Sequence, residues 1–193
     1  MVEERPVEPG QQELIDRSIA GDARAFEMLV EPMRQKVVRV IATMMSNPDD
    51  AADVYQEVLI KMWTRLSTYA GKGGIESWAY AIAMNTAIKR RQQRTNFWRL
   101  HREMDDTIAE TVADPGAGVM PLDRALGVET SDAIAEALDR LSPKHKAILV
   151  LREVEGLSYE EIAATLDINM GTVMSRLHNA RKQLKKHMEH LMP

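Results

Sequence analysis

Apolar residues recur at helical spacing along most of the chain, and the recurrences stop at recognisable caps and turns. Gln11 to Ala20 predicts a short helix ended by Gly21. Asp22 can cap the next, whose broad apolar face is Phe26, Leu29, Val30, Met33, Val37, Val40, Ile41 and Met44; Pro32 inside it predicts a kink. Asn47-Pro48 is a fresh start, with Asn as cap and Pro at the first helical position. The helix that follows, to about Leu66, is expected to bury Ala52, Tyr55, Val58, Leu59 and Met62 and to carry Asp53, Gln56, Glu57 and Ile60 on another side. Ser67 to Gly74 reads as a loop with glycines at 71, 73 and 74. A long helix is then expected from Ile75 through Arg94, with Trp78, Ile82, Asn85, Thr86 and Lys89 sharing a face. Periodicity fades over 95–130, where Pro115, Gly116, Gly118, Pro121 and Gly127 mark a linker. Helices resume at Ser131: Asp132 to Leu141, then Ser142 as cap, Pro143 at the first position, and Lys144 to Glu153.

The sharpest pattern runs from Glu155 to Lys186. Gly156 can end one helix in the left-handed conformation. Ser158 and Glu161 form the S-x-x-E of a capping box, and Ile162, Ala163 and Leu166 give the new helix its apolar face. Asp167-Ile168-Asn169 interrupts it, with Asn169 a good cap for a last helix. That helix lines up Val173, Leu177, Ala180, Leu184 and Met188 on one seam. Its opposite face shows Thr172, Met174, Ser175, Arg176, His178, Asn179, Arg181 and Lys182. Two helices, a three-residue turn and a polar, cationic outer face describe a helix-turn-helix whose second helix suits a major groove. An amphipathic hairpin with a solvated basic face has the same pattern.

The composition favours helices: of 193 residues 45% are hydrophobic and only 5% aromatic, and 13 are Met. With no cysteine, neither disulfides nor a thiolate zinc site hold the fold. His187 and His190 lie three apart on one helix face, but two histidines on a terminal helix do not make a metal site, and none is expected. No apolar run approaches the roughly 18 residues of a membrane span. Met1 to Gly10 is acidic and proline-bearing, reads as a disordered lead over 1–10 rather than a signal peptide, and leaves a cytoplasmic protein as the expectation. The net charge of −4 is unusual for a chain that grips DNA alone. The charge is segregated, however. Lys89 to Arg102 holds Lys89, Arg90, Arg91, Arg94, Arg99 and Arg102 with no acid among them. Glu103 to Glu136 holds nine acids against Arg124 alone. Two nucleic-acid-facing parts joined by an acidic connector would give these blocks, and so would a solvated loop between two helical domains.

Three stretches together resemble a known family. Asp53-Val54-Tyr55-Gln56-Glu57-Val58 is similar to the D-x-x-Q-E-x of bacterial sigma factors, and Ser77-Trp78-Ala79-Tyr80-Ala81-Ile82-Ala83-Met84-Asn85 resembles their S-W-L-Y-R-I-A-x-N. Leu141-Ser142-Pro143, Gly156 to Ala163 and Gly171 to His178 resemble their C-terminal domain. In order and spacing the chain resembles an extracytoplasmic-function (ECF) sigma factor. The resemblance implies an all-α chain of two small helical domains: sigma2 over 11–94 and sigma4 over 131–193, joined by an acidic flexible linker over 95–130. It implies a promoter-specificity subunit that is not an enzyme and takes no cofactor. Its partners would be core RNA polymerase through the β′ and β subunits, promoter DNA, and an anti-sigma factor.

By the same resemblance, Asp53, Gln56, Glu57 and Ile60 dock on the polymerase; carboxylates and an amide on one turn suit arginine partners. Tyr69, Lys72, Trp78, Asn85, Lys89, Arg90, Arg91 and Arg94 recognise and open the −10 element, where an extruded base needs a pocket and the strand needs cations. Core packing for Trp78 and loop anchoring for Tyr69 are the structural alternatives. The last helix reads the −35 element, with Met174, Ser175, His178 and Asn179 at base edges and Thr172, Arg176, Arg181 and Lys182 nearer phosphates. The chain departs from the family where Met174, Asn179, Ala81 and Ala70 replace residues that are often basic, and where Asp167 replaces a turn glycine. Asn can pair with adenine through two hydrogen bonds, whereas Met offers only an apolar contact. The linker acids either occupy a basic polymerase channel or keep the free chain soluble.

Two other classes fit less well. A stand-alone helix-turn-helix regulator needs a sensor or receiver domain, and no alternation of strands and helices precedes the motif. An all-α adaptor or enzyme lacks a P-loop, a G-x-S-x-G or an H-E-x-x-H to work with.

Overall fold

The computed structural model describes residues 9–71, 74–104 and 128–191, and among them every regular element is helical. Lys72 and the linker over 105–127 lie outside the described residues. So do residues 1–8 of the expected disordered lead, whose last two residues, Pro9 and Gly10, open a helix.

The first half is α1 (Pro9–Ile19), α2 (Ala23–Val30), α3 (Arg34–Met44), α4 (Pro48–Arg65) and α5 (Gly74–Met104). Asp22 joins α1 to α2. Its Oδ1 accepts from the amides of Arg24 and Ala25 at 3.0 and 3.1 Å, and its Oδ2 accepts from Arg17 of α1 at 2.7 Å. Pro32 does more than kink the expected single helix. Without an amide N–H, and with a ring that crowds the preceding turn, it turns the chain through a 3-10 segment, Glu31–Met33, that separates α2 from α3. Asn47 caps α4 by accepting from the Asp49 amide at 2.7 Å, ahead of Pro48.

The face expected for α4 is corrected in part. Val54, Val58 and Met62 are its buried residues, four apart, whereas Ala52 is exposed. Ala52 and Val54, two residues apart, lie on nearly opposite sides of one helix. The larger apolar surface of Val54 takes the inward strip, because burial scales with apolar area.

α5 is the spine of the molecule. Ile75, Ala79, Ala83 and Ala87 lie along it at four-residue steps, all essentially inaccessible, and Met84 is buried beside them. Alanines at such a crossing let helix axes approach closely, so α3 and α4 pack directly against α5. The helix runs beyond Arg94 to Met104, through the basic stretch.

The second half is α6 (Val128–Asp139), α7 (Pro143–Leu149), α8 (Tyr159–Leu166) and α9 (Met170–Leu191). After α7 the chain widens into one π turn, Val150–Val154. The Glu155 amide donates to the Val150 carbonyl at 3.1 Å, and past Gly156, at φ 69°, the Leu157 amide donates to the Leu151 carbonyl at 3.0 Å. Ser158 and Glu161 close the expected capping box at 3.1 and 2.8 Å. Asp167, at φ 51°, is the described non-glycine residue in the left-handed region, and it makes the turn between α8 and α9. Asn169 caps α9 by accepting from the Thr172 amide at 2.8 Å. Val173, Leu177 and Ala180 are fully buried on the expected seam, with Leu184 partly so.

The halves pack on each other. α5 meets α7 and α8, α3 meets α7 and the π turn, and the apolar core is continuous from Ile15 to Ala180.

Candidate nucleic-acid interface

α9 presents its outer face to solvent. Met174, Ser175, His178, Asn179, Arg181 and Lys182 are exposed, and Thr172 and Arg176 half-exposed. Met174 keeps 53% of its surface open although it is the apolar member of the set. The seam behind these residues fixes their direction, because successive turns of one helix place Val173, Leu177 and Ala180 inward and their neighbours outward. Arg181 is steadied by Glu153, which accepts from its Nη2 at 2.6 Å and its Nε at 3.1 Å. His145 of α7 shares a hydrogen bond of 2.9 Å with Gln183, tying α9 to α7. His187 is half-buried; the side chain of His190 lies outside the described residues. A helix fixed from behind, with amide, hydroxyl, imidazole, thioether and cations in front, can offer donors, acceptors and an apolar contact to base edges, and charge to phosphates.

The basic stretch of α5 is arranged differently. Asn85 and Lys89 are exposed. Arg90 donates to Asp53 at 3.2 Å and Arg94 to Asp50 at 2.8 Å, both on α4. Arg91 turns inward, with 14% of its side chain exposed. It donates to Asp139 Oδ1 at 3.1 Å, to the Asp139 carbonyl at 3.0 Å and to the Met44 carbonyl at 2.8 Å. Ahead of this stretch Trp78 packs against the core, with the Tyr69 ring tilted 5.9 Å from its own. The Tyr69 hydroxyl is buried with no hydrogen-bond partner among the described residues, and burial raises its pKa. Both aromatics thus have structural work at the loop that precedes α5.

On α4, Asp53, Gln56 and Ile60 are exposed and Glu57 half-exposed, on one side of the helix. Glu57 holds Lys61 at 2.6 Å and Asp53 holds Arg90, so this side borders the basic run of α5. Ile60, 63% exposed, is an apolar residue in a charged surrounding, a common feature of protein-binding surfaces.

Five further charged or polar residues, to which the sequence reading assigned no role, gather between the halves. The Glu155 carboxylate, 2% exposed, accepts from Arg39 Nε and Nη2, each at 2.9 Å, and from the Tyr80 hydroxyl at 2.8 Å. Burial, then the Glu155 carboxylate, raises the Tyr80 hydroxyl well above its ordinary value. Lys146, 3% exposed, donates to Asp139 at 2.5 Å. Burial, with Arg91 adding to it, brings Lys146 down to about 8 against the opposing pull of Asp139. Burial works to raise Asp139 in turn, but Lys146, Ser46 and Arg91 together hold it below its ordinary value. At neutral pH both members of the pair are charged. Lys146 stands at the edge of an apolar run, Ala147 to Leu151, and nothing in that run distinguishes a solvated lysine from a buried one.

The description "Sigma-70 region 2" fits residues 29–97, and "Sigma-70, region 4" fits residues 131–184. The ECF RNA polymerase sigma factor SigW of Bacillus subtilis is 30% identical over 176 residues, covering 89% of this chain and 92% of the relative. The RNA polymerase sigma-H factor of Pseudomonas aeruginosa is 31% identical over 186 residues, covering 94% and 95%. The chain belongs to the ECF sigma factors of RNA polymerase. The sigma factor RpoE of Bartonella quintana, solved in complex with the anti-sigma factor NepR, shares the fold at a TM-score of 0.64 and 23% identity, over 86% of this chain and 98% of that one. As a sigma factor the protein binds core RNA polymerase and directs transcription initiation at specific promoters. The family does not favour a stand-alone regulator. No helix among the described residues is long and apolar enough to cross a membrane.

Proposed function

We propose that this ECF sigma factor divides promoter recognition between two faces and docks on polymerase with a third. The outer face of α9 reads the −35 element, with Met174, Ser175, His178 and Asn179 at base edges and Thr172, Arg176, Arg181 and Lys182 toward phosphates. The loop carrying Tyr69 and Lys72, with Trp78, Asn85, Lys89, Arg90, Arg91 and Arg94 of α5, engages and opens the −10 element. Asp53, Gln56, Glu57 and Ile60 of α4 meet the core enzyme. Domain limits of 11–94 and 131–193 go with this division. The protein works in the cytoplasm, contributes no catalytic chemistry of its own, and is held in reserve by an anti-sigma factor.

The observation that carries the reading is the two-sided build of α9: one seam buried at Val173, Leu177 and Ala180, the opposite face open and chemically mixed. The test is run-off transcription by purified core enzyme supplied with this protein, on a library of promoters varied at each −35 position. Asn179→Ala is expected to relax preference at a single base pair. If it lowers output evenly across the library, α9 does not read bases through that residue.

A further inference from the structure

Ile75, Ala79, Ala83 and Ala87 turn one side of α5 into the core. On the side away from them, at steps of four, three and four residues, stand Asn85, Lys89, Gln92 and Asn96. Asn85, Lys89 and Asn96 are exposed and Gln92 is half-exposed. The outward ridge of the helix is thus three carboxamides and one cation. No acid lies between Glu76 and Glu103 in the chain, so α5 itself adds no charge there that would repel a phosphate. Nor is the ridge built for helix stability. Asn is a weaker helix former than Ala, because its side chain competes for backbone hydrogen bonds, and two of the four positions carry it. Gln92 and Asn96 have no part in the −10 contacts proposed above.

We infer that Gln92 and Asn96 read adenine in the paired DNA immediately upstream of the −10 element, as a second base-reading edge on the same helix. A carboxamide fits adenine with two bonds: its NH2 donates to N7, and its carbonyl accepts from the N6 amino group. The major groove admits an α-helix, and the ridge from Asn85 to Asn96 rises about 17 Å, the length of about five base steps. Lys89, between the carboxamides, gives a phosphate contact that fixes register without reading sequence. The placement rests on the reading of α5 as the −10 face. With Trp78 and the Tyr69 loop at the opened bases, Gln92 and Asn96 lie roughly 21 and 27 Å further along the helix, over bases that are still paired. The chain leaves that end of α5 toward the half that carries α9, the −35 helix, so that end faces upstream.

The test uses the full-length protein with core enzyme. A promoter that this holoenzyme transcribes is randomised over about five base pairs upstream of the −10 element, the span of the ridge. Selection for binding should enrich A·T at one or two positions. Replacing either by G·C should then cost roughly five- to hundredfold in affinity. 7-Deazaadenine keeps the base pair but has C–H in place of N7. At the enriched positions it should reproduce much of that loss with the parent protein, so this arm depends on no variant folding. Gln92→Ala and Asn96→Ala should each abolish the preference at one pair and leave the other. Circular dichroism checks that both are folded. Lys89→Ala should weaken every template alike. A parent indifferent to the upstream pairs and to 7-deazaadenine, or folded alanine variants that lower affinity evenly, overturns the inference. Asn85→Ala, scored on promoters varied within the −10 element, tests the underlying reading separately. If discrimination there is unmoved while the Gln92 and Asn96 variants relax the upstream pairs, the −10 assignment fails and the upstream reading stands. The reverse result keeps the −10 assignment and overturns the upstream one.

Discussion

The outer face of α9 and the basic stretch of α5 look alike in sequence, and the structure uses them differently. Both carry several cations on a long helix with few apolar residues around them. On α9 the buried seam pushes the polar face into solvent; Arg181 is engaged at the half-exposed Glu153, and Lys185 pairs with the exposed Glu189 of the same helix. On α5 Lys89 is open, whereas Arg90, Arg91 and Arg94 meet Asp53, Asp139 and Asp50. Charge is legible in a sequence, but its availability depends on which carboxylates the fold brings up to it. A surface ion pair contributes about 0–1 kcal/mol, so the pair of Arg90 with the exposed Asp53 is easily exchanged; the inward pair of Arg91 is not of that kind.

The largest effect should come from breaking the support of α9. Leu177→Ala removes a fully buried side chain from the seam and should cost about 2–5 kcal/mol of stability. Met174→Ala, three residues away on the open face, should stay within about 0.5 kcal/mol. Thermal denaturation of both variants checks this. Similar losses would mean that the outer face is packed against something in the folded protein, and the contrast with α5 would fail.

The next effect probes the inward pair. Asp139→Ala leaves the charges of Arg91 and Lys146 without their carboxylate and should cost about 3 kcal/mol in denaturant melts. The pH dependence follows from the same groups. Lys146 falls to about 8 in the folded protein, below its ordinary 10.5. Between those values the unfolded chain binds a proton that the folded one has lost, so this group makes stability rise with pH. Tyr80 is raised above its ordinary 10.0, so it works the other way above pH 10 and the clean window is pH 8–10. Asp139 is lowered, so its contribution is present above its ordinary 3.8 and fades as pH falls below that. Lys146→Met should therefore flatten the rise in melting temperature between pH 8 and 10 and leave the rest of the profile in place. A parallel rise in the variant would remove Lys146 from the account.

Much of the fold was legible because its signals are local. The capping box at Ser158 and Glu161, the Asn47-Pro48 start, the Asn169 cap and the seam of α9 each lie within a few residues, and each forms as the sequence predicts. Pro32 was legible as an interruption, though not as a change to a 3-10 turn. The inward face of α4 was misjudged at Ala52, because an alanine fits either side of a helix and only its partners decide. The outer face of α9 was legible for the same reason as its seam. The neutralisation of Arg91 was not. Its partners come from 47 and 48 residues away, and nothing near Asp139 in the chain points to α5. Long-range polar pairing has no period to betray it.

On the open face, two substitutions one turn or less apart should separate reading from holding. Asn179→Ala should remove about 1–3 kcal/mol of discrimination at one −35 base pair, if its amide pairs with a base edge. Arg181→Ala should weaken all promoters alike and reduce the salt dependence by about one counterion. Affinity of the holoenzyme for a panel of −35 variants, taken across a salt series, distinguishes the two. Uniform losses from both would make α9 a positioning helix, and the mixed chemistry of its outer face would then need another purpose.

The smallest effect sharpens the comparison on α5 itself, between an open cation and an engaged one. Lys89 is exposed, and Arg90 donates to Asp53, whose side chain is 71% exposed. In non-specific DNA binding by the free protein, Lys89→Ala should lower the slope of log affinity against log salt by about 0.7–0.9, the loss of one phosphate contact. Arg90→Ala should lower it by less, because its guanidinium must first leave a carboxylate. Asp53→Asn should release Arg90 and raise non-specific affinity modestly, since an exposed pair contributes only about 0–1 kcal/mol. Asn keeps the shape of the side chain and can still accept a hydrogen bond, so a rise in affinity would report the lost charge rather than a rearranged helix. Equal slopes for the Lys89 and Arg90 variants, with no gain from Asp53→Asn, would show that the ion pair does not limit Arg90. The contrast between the two helices would then reduce to Arg91, which the fold turns inward.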